Sequence, residues 1–565
     1  MGFGMKHDAL DYDIIFIIPP NNGIDYLCLH NETSVERVFP PLGVLSMTCS
    51  FFKLYEIINV THIDFNIKNN VKNYAEDIHN RIGTLKARNR AIFCISIMMS
   101  SSYSFIDPLV TFIKDNFQDS IIVCGGAHSS STVQELFNAH REIDYIVCGE
   151  GEESLPKLYS AIHGGTTPDI QGVHSRSNIK RSAQGGYERC PFPADINVDY
   201  KYYPKITILE DYCGMTSNFS LSKKKQGDRA FAIMASRGCP GNCSFCAAAT
   251  VHGRRPRWRN LDNVRGEMQF LYDRYGVTRF YLMDDNFVPK ASTLDLFKML
   301  GELAIPEKEI VIQNMSVNHT DYEIIDAIAG ARISYIPLAI ETGAVSMQKK
   351  IGKNCDLEKA RQLVRYAQSK GLQVRCFYII GFPGETIAEM RKTIEFAQTM
   401  AADWSSFNVA VPLPGTRMYR EFREMRVIDD SPETWKTANI RERFFDTPEI
   451  TASAIKEMAY RANLSVNFLN NPLLAKRMFI EAEVIFTNFT REMDFHVFAF
   501  ESLRQIYLKT GRKSEAQDTA RHMERLLAHN PLSSSFLRYL DMLPDDIRPR
   551  LEEASRGAPK PQPHA

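Results

Sequence analysis

Three cysteines stand close together in the stretch SRGCPGNCSFC, at Cys239, Cys243 and Cys246, in the spacing Cys-x-x-x-Cys-x-x-Cys. Thiolates at such intervals on one loop bind metal, and their number limits which centre they can complete. A structural zinc ion takes four thiolate or imidazole ligands in a closed tetrahedron. No fourth cysteine follows soon after, and the nearest imidazole, His252, lies six residues beyond Cys246. A four-iron cluster is also usually held by four thiolates, so three of them leave one iron with an open position. Such an iron can chelate a small molecule through its amino and carboxylate groups, and an electron passed to that molecule can then break one of its bonds.

A strand-like run, AFAIMAS, leads directly into this loop, and further runs follow at intervals filled by helical patterns: RFYLMDDNF, EIVIQNMSV, YIPLAIETG, LQVRCFYIIGFPGET and SSFNVAVPLPGT. These make six βα units, and in barrels built from such units chemistry gathers at the carboxyl ends of the strands. Polar residues stand there: Asp284, Asp285 and Asn286 after the second strand, Glu341 and Thr342 after the fourth, and the turn Gly381 to Glu385, with Pro383, after the fifth. Upstream, from Asp13, five short apolar runs alternate with amphipathic stretches, the pattern of a parallel, doubly wound sheet. Ligands of such sheets sit beyond the carboxyl ends of the strands. The loops there are small or glycine-rich: Ser100, Ser101 and Ser102, then Gly125 and Gly126, then Gly149, Glu150, Gly151 and Glu152. The dinucleotide fingerprint Gly-x-Gly-x-x-Gly is missing after the first strand, which reads PPNNG, so a nicotinamide or flavin dinucleotide is disfavoured.

The cysteine spacing, with Phe245 just before the last cysteine, resembles the signature of the radical SAM superfamily. The order of PPLGVLSM, the Gly-Gly-x-His of Gly125 to His128 and CGEGEESLPKL resembles the cobalamin-binding domain that precedes many radical SAM cores. Together these resemblances cover roughly residues 11 to 425. They imply an α/β chain with a Rossmann-like cobalamin-binding domain over 1–165, a connector over 166–228, a partial (β/α)6 TIM-type barrel over 229–430 and a helical domain with a disordered tail over 431–565. They also imply a 4Fe-4S cluster on the three cysteines, with S-adenosylmethionine (SAM) contacted by Phe245, Asp284, Asp285, Asn286, Glu341, Thr342, Gly381 and Pro383. The serine and glycine loops with Glu150, Glu152 and His128 would then meet cobalamin. The implied activity is methyl transfer by way of methylcobalamin to an unactivated carbon, or phosphorus, of a small natural-product intermediate, after a 5′-deoxyadenosyl radical removes hydrogen. Oxidation, ring closure or rearrangement without methyl transfer is the alternative, and a non-catalytic corrinoid or cluster sensor is a third. An electron donor such as flavodoxin or ferredoxin is implied as partner.

In the mutase branch of cobalamin proteins a histidine in Asp-x-His-x-x-Gly ligates cobalt from below. Here the nearest string runs from Asp77 through His79 to Ile82, with isoleucine in place of glycine, in a segment that reads as a surface helix. Base-off cobalamin without a histidine lower ligand is therefore expected. Cys94, Cys124 and Cys148 lie in or beside apolar runs and read as small buried hydrophobes. The stretch GRRPRWRN, just past the cysteines, is either a receiver for a phosphorylated or carboxylated substrate or a salt-bridged face.

The 565 residues exceed one usual core, and 67 basic against 67 acidic side chains leave no long-range pull toward nucleic acid or anionic lipid. No apolar run reaches the ~18 residues of a membrane span, and MGFGMKHDALDYD lacks the order of a secretory signal. A cytoplasmic monomer is expected. FESLRQIYLKTGRKSEAQDTARHMERLLAHNP resembles a single tetratricopeptide-like hairpin, with Leu503, Tyr507, Ala516 and Ala520 facing inward, and predicts a helical cap on the barrel.

Overall fold

The computed structural model describes residues 12–20, 39–55, 58–67, 73–85, 90–183, 186–214, 229–438 and 443–557. The PPNNG loop beyond Pro20, the lysine run Lys223 to Lys225 and the tail from residue 558 lie outside them.

The run DIIFII forms β1 (Asp13–Ile18), almost wholly buried, as a strand covered on both faces must be. β2 (Val60–Asp64), β3 (Ala91–Ser96), β4 (Ile121–Gly125) and β5 (Tyr145–Val147) pair with it in parallel, in the order β2-β1-β3-β4-β5. Helices cover both faces. Phe93, Ile106 and Phe137 pack on one side, and Val44, Phe51 and Leu158 on the other. The segment after residue 165, which reads as loop-rich, supplies more structure than its composition suggests. β6 (Val173–Ser175) adds an antiparallel edge to the sheet. Tyr203, Leu209 and Tyr212 then anchor the segment in the core of the second layer.

That second layer begins with β7 (Arg229–Ile233). A two-stranded ribbon follows, β8 (Ser236–Arg237) against β9 (Arg257–Trp258), and then β10 (Val277–Leu282), β11 (Glu309–Ile312), β12 (Tyr335–Glu341), β13 (Gln373–Ile380) and β14 (Trp404–Val409). β7, β10 and β11 form one parallel sheet, and β12, β13 and β14 another. A parallel bridge from Ser316 to Ala339 joins them into one open barrel of six strands. Along QVRCFYII burial alternates strictly: Val374, Cys376, Tyr378 and Ile380 are buried under helices, while Arg375, Phe377 and Ile379 are only half-buried, on the inner side.

An open barrel has edges, and β14 is one of them. Its free backbone groups are met by side chains of the helix Ala452–Leu464 and the π-helical turn Ser465–Leu469 that continues it. Asn467 accepts from Ser405 N (2.7 Å) and donates to Ser405 O (2.6 Å), while Asn463 does the same for Phe407 (3.2 and 3.1 Å). Two carboxamides four residues apart thus stand in for a further strand, which shields the edge from other chains. The carboxyl-terminal helices cover the barrel's flank here. Leu503, Ala516 and Ala520 are buried in the hairpin Val497–Lys509 with Lys513–His529, and Tyr507 is half-buried against the same core.

Asn467→Leu strands both backbone groups of Ser405 in an apolar setting. The expected loss is about 2–4 kcal/mol, read as a lower denaturant midpoint with the carboxyl-terminal helices melting first by hydrogen exchange.

Candidate active site between two facing sets of loops

The cysteine loop hangs on the β8–β9 ribbon, where Ser236 pairs with Trp258 and Arg237 with Arg257. Gly238 adopts φ +97°, and a Cβ there would lie 2.6 Å from the Arg255 carbonyl oxygen, so only glycine lets the chain enter the loop this way. The loop is tied at several points. Cys239 N donates to Gly253 O (3.2 Å), Ser244 N to Ile351 O (2.7 Å), and Met418 N to Ser244 O (2.9 Å). The thiols of Cys239 and Cys243 converge over Gly241, lying 3.3 and 3.9 Å from the position a Cβ would take there. Asn286 Nδ2 donates to Cys239 Sγ at 3.7 Å, the kind of bond that orients and tunes a metal thiolate. His252 is engaged elsewhere, with Nδ1 2.8 Å from Asp285 Oδ2. Among the described residues no three His, Cys, Asp or Glu side chains close tightly enough for a single ion. The donor set of three thiols, with the neighbouring His252 held by Asp285, suits an iron–sulfur cluster that leaves one iron open better than a four-ligand zinc site.

The acids at the strand ends hold this loop. Asp284, 3% exposed, accepts from Ser236 N (2.5 Å), Ser236 Oγ (2.6 Å) and Ala235 N (3.2 Å); burial pushes its carboxyl up to about 6 against those bonds. Asp285 accepts from Gly238 N (2.9 Å) as well as His252. Glu341 closes β12 in the left-handed region, φ +72°, and directs its carboxylate to Lys353 Nζ at 3.3 Å, both side chains being under a tenth exposed. Thr342 is fully buried, its hydroxyl 2.9 Å from Thr393 Oγ1 and accepting from Ala344 N. In the turn after β13, Phe382 packs on Phe245 with ring centroids 5.6 Å apart, joining the cysteine loop to Gly381 and Pro383. Glu385 accepts from Gly381 N (2.5 Å) and Phe382 N (3.0 Å), and Thr386 with Glu389 then forms a capping box for the next helix.

Opposite the loop, a cavity of about 320 Å³ opens between the carboxyl ends of the amino-terminal sheet and the mouth of the barrel. Gly125, Gly126, Gly149, Glu150, Gly151 and Glu152 line it. Gly126, at φ +95°, packs so closely on Ile97 that a Cβ would lie 2.6 Å from its carbonyl oxygen. The wall also includes Phe16, Met47, Ser96 and Met98, which the sequence reading does not single out. Met234, Arg237, His252 and Met283 face them from the barrel side.

Ser100, Ser101 and His128 stand apart from this wall. Ser100 Oγ lies 3.0 Å from His128 Nδ1, and the His128 ring packs edge-on against Trp435 (4.9 Å between centroids) and next to Tyr103. Burial pushes His128 down to about 3, so its imidazole is neutral. His79 is exposed on the surface helix Tyr74–Ile82. The arginine-rich stretch is divided: Arg254 and Arg255 are exposed, while Arg257 and Arg259 turn inward. Arg259 pairs with Glu267 (2.6 Å) and Arg257 with Glu150, and Arg254 donates to Gly241 O and Asn242 Oδ1, so these three arginines serve the fold as salt bridges and loop ties.

Burial pushes the Glu385 carboxyl up to about 7 from an ordinary 4.5. The folded state then holds this proton more tightly than the unfolded chain. Its contribution is full below pH 4.5 and is lost as pH rises to about 7. Glu385→Gln should flatten that part of the Tm–pH curve, removing a slope worth roughly 3 kcal/mol. Parallel curves for both proteins would contradict the assignment.

Comparison with known proteins agrees with this geometry. Residues 233–397 match the model of the radical SAM superfamily, and residues 33–159 match that of the B12 binding domain, together about half of the chain. An uncharacterized methyltransferase of Pyrococcus horikoshii is 26% identical over 393 residues, 68% of this chain and 80% of that protein. The cytidylyl-2-hydroxyethylphosphonate methyltransferase of Streptomyces wedmorensis is 24% identical over 410 residues, 66% of this chain and 74% of that one. Among solved structures, the cobalamin-dependent S-adenosylmethionine radical enzyme OxsB with aqua-cobalamin bound shares the fold. Its TM-score is 0.58 at 14% identity, over 96% of this chain and 84% of that one. The chain belongs to the radical SAM superfamily, in the group whose radical SAM barrel follows a B12-binding domain.

Proposed function

We propose that this enzyme transfers a methyl group from SAM, by way of cobalamin, to an unactivated carbon or phosphorus of a small molecule. The observation that carries the reading is the cavity whose two walls are the glycine loops of the B12-binding domain and the rim of the cysteine loop. When bound, the 4Fe-4S cluster and SAM would supply hydrogen abstraction, and cobalamin would supply the methyl group. The chain's own residues bind and orient these groups. Cys239, Cys243 and Cys246 hold the cluster, and Asn286 hydrogen-bonds the first of them. Phe245, with Phe382 against it, offers an aromatic surface beside the turn of Gly381 and Pro383, suited to an adenine. Asp285, Glu341 and Thr342 complete the proposed SAM site, while Asp284 holds the loop from beneath.

On the cobalamin side, the lining from the amino-terminal layer consists of glycines, Ser96, Ser130, apolar side chains and thiols, and the two carboxylates Glu150 and Glu152, which are paired with arginine. Among the described lining residues the one imidazole, His252, belongs to the barrel. This supports base-off cobalamin without a histidine below the cobalt. The apolar walls exclude water from the reacting groups. The names of the two relatives support methyl transfer, and the phosphonate methyltransferase supports a small-molecule substrate. Among the described residues no helix is long and apolar enough to cross a membrane. A cytoplasmic monomer reduced by flavodoxin or ferredoxin, without nucleic acid, completes the reading.

Anaerobic reconstitution followed by iron, sulfide and corrinoid analysis tests the cofactors, and mass spectrometry with methyl-labelled SAM tests the outcome. A gain of one methylene per turnover is expected. An unchanged carbon count would instead point to oxidation, ring closure or rearrangement. Replacing Cys239, Cys243 and Cys246 by alanine should abolish 5′-deoxyadenosine release while leaving the corrinoid bound.

A further inference from the structure

Four charged side chains from two different domains meet at the cavity's edge. Glu150 and Glu152 come from the last loop of the amino-terminal sheet, and Arg237 and Arg257 from the stem of the cysteine loop. Their side chains are 3%, 12%, 10% and 11% exposed. Glu150 sits between both guanidiniums, accepting from Arg237 Nη1 (2.9 Å), Arg257 Nη1 (2.9 Å) and Arg257 Nη2. Glu152 accepts from Arg237 Nη1 at 2.7 Å. Arg257 also donates to the carbonyls of Pro193 (3.0 Å) and His252 (3.1 Å) and lies over the Phe192 ring.

Burying four charges is a poor way to gain stability, because desolvation offsets most of the attraction. What such a network supplies is direction, since a guanidinium fork accepts a carboxylate only in a narrow range of positions. Here the fork connects two particular loops. Arg237 is paired across the ribbon with Arg257 and stands two residues before Cys239, and Gly238 between them is fixed by Asp285. Glu150 and Glu152 flank Gly151 on the opposite wall of the cavity. The path from the proposed cobalamin loop to the first cluster ligand thus runs through one layer of charge-assisted bonds.

We propose that Glu150, Glu152, Arg237 and Arg257 are positioning residues that set the distance between the cobalamin loop and the cluster loop, and are not ligands of cobalamin or substrate. The inference rests on the functional reading above. A substrate atom that loses hydrogen toward one cofactor and gains a methyl group from another needs both held in register, and a misplacement of ~1 Å can cost ~100-fold in rate. The network provides that register without touching the reacting atoms.

Pulsed EPR tests this on the full-length protein loaded with hydroxocobalamin, reduced to the paramagnetic cob(II) form, and a reduced cluster. The wild type should give one narrow cobalt-to-cluster distance. Glu150→Gln with Glu152→Gln should retain iron and corrinoid while that distribution broadens, and corrinoid release should quicken by roughly tenfold or more. Arg257→Lys keeps the cation but loses the fork, and should broaden the distribution to a lesser degree; it serves if the double variant does not fold. An unchanged, narrow distance in either folded variant, with only a lower Tm, overturns the inference and leaves the network as structural glue. A wild type that assembles a cluster but takes up no corrinoid overturns the functional reading itself, and is seen before any variant is compared.

Discussion

The pairing of Glu150 and Glu152 with Arg237 and Arg257 is the interaction on which the joint use of the two layers depends. Each layer on its own is a common parallel α/β arrangement with loops at the carboxyl ends of its strands. Facing those ends toward each other creates a cavity between them, bordered on the amino-terminal side by loops that carry many glycines. Away from the cavity the layers share an apolar core, in which Leu45, Cys49 and Phe52 join the barrel residues, but apolar contact does not fix the direction of the loops at the cavity's edge. Oriented charge pairs do not slide, because moving a buried guanidinium off its carboxylate leaves both uncompensated.

A second division of labour appears within the barrel. The residues that chemistry needs near the open mouth are not all free to do chemistry. Asp284 spends its carboxylate on Ser236 and Ala235, and Thr342 turns its hydroxyl to Thr393 and Ala344 N. Asp285, Asn286 and Glu341 stay closer to the cysteine loop, through Gly238, Cys239 and Lys353. A strand-end acid is therefore part of the scaffold first. The loop of three thiols can be glycine-rich and still rigid because it is bonded from beneath by carboxylates and from the side by the Ile351 and Met418 backbones.

Much of the fold was legible because parallel strands covered on both faces must be continuous apolar runs; DIIFII, AIFCIS and YIPLAIE carry their assignment in their composition. The cysteine loop was legible for a different reason, since spacing and number alone restrict the metal chemistry. β6 was not, because a three-residue strand paired through its backbone leaves no periodicity. Nor was the anchoring of Tyr203, Leu209 and Tyr212, which belong to short helical turns without a repeating face. In the site, the glycines of the sheet loops were legible as places where a large ligand can approach. Met47, Met98 and Phe16 were not, because an apolar residue reads the same in a core and in a cavity wall.

Charged residues show where reading a sequence stops and geometry begins. Arg237 and Glu150 are 87 positions apart, and neither has any local feature that names the other. The arginine-rich stretch after the cysteines offered two readings, an anion receiver or a salt-bridged face, and composition could not separate them. Space decides between them, because a guanidinium already forked onto a buried carboxylate has little capacity left for a substrate anion. Arg257 and Arg259 are both in that condition. Neither guanidinium is therefore free to receive an anionic group of the substrate, and the second of the two readings holds for these two arginines.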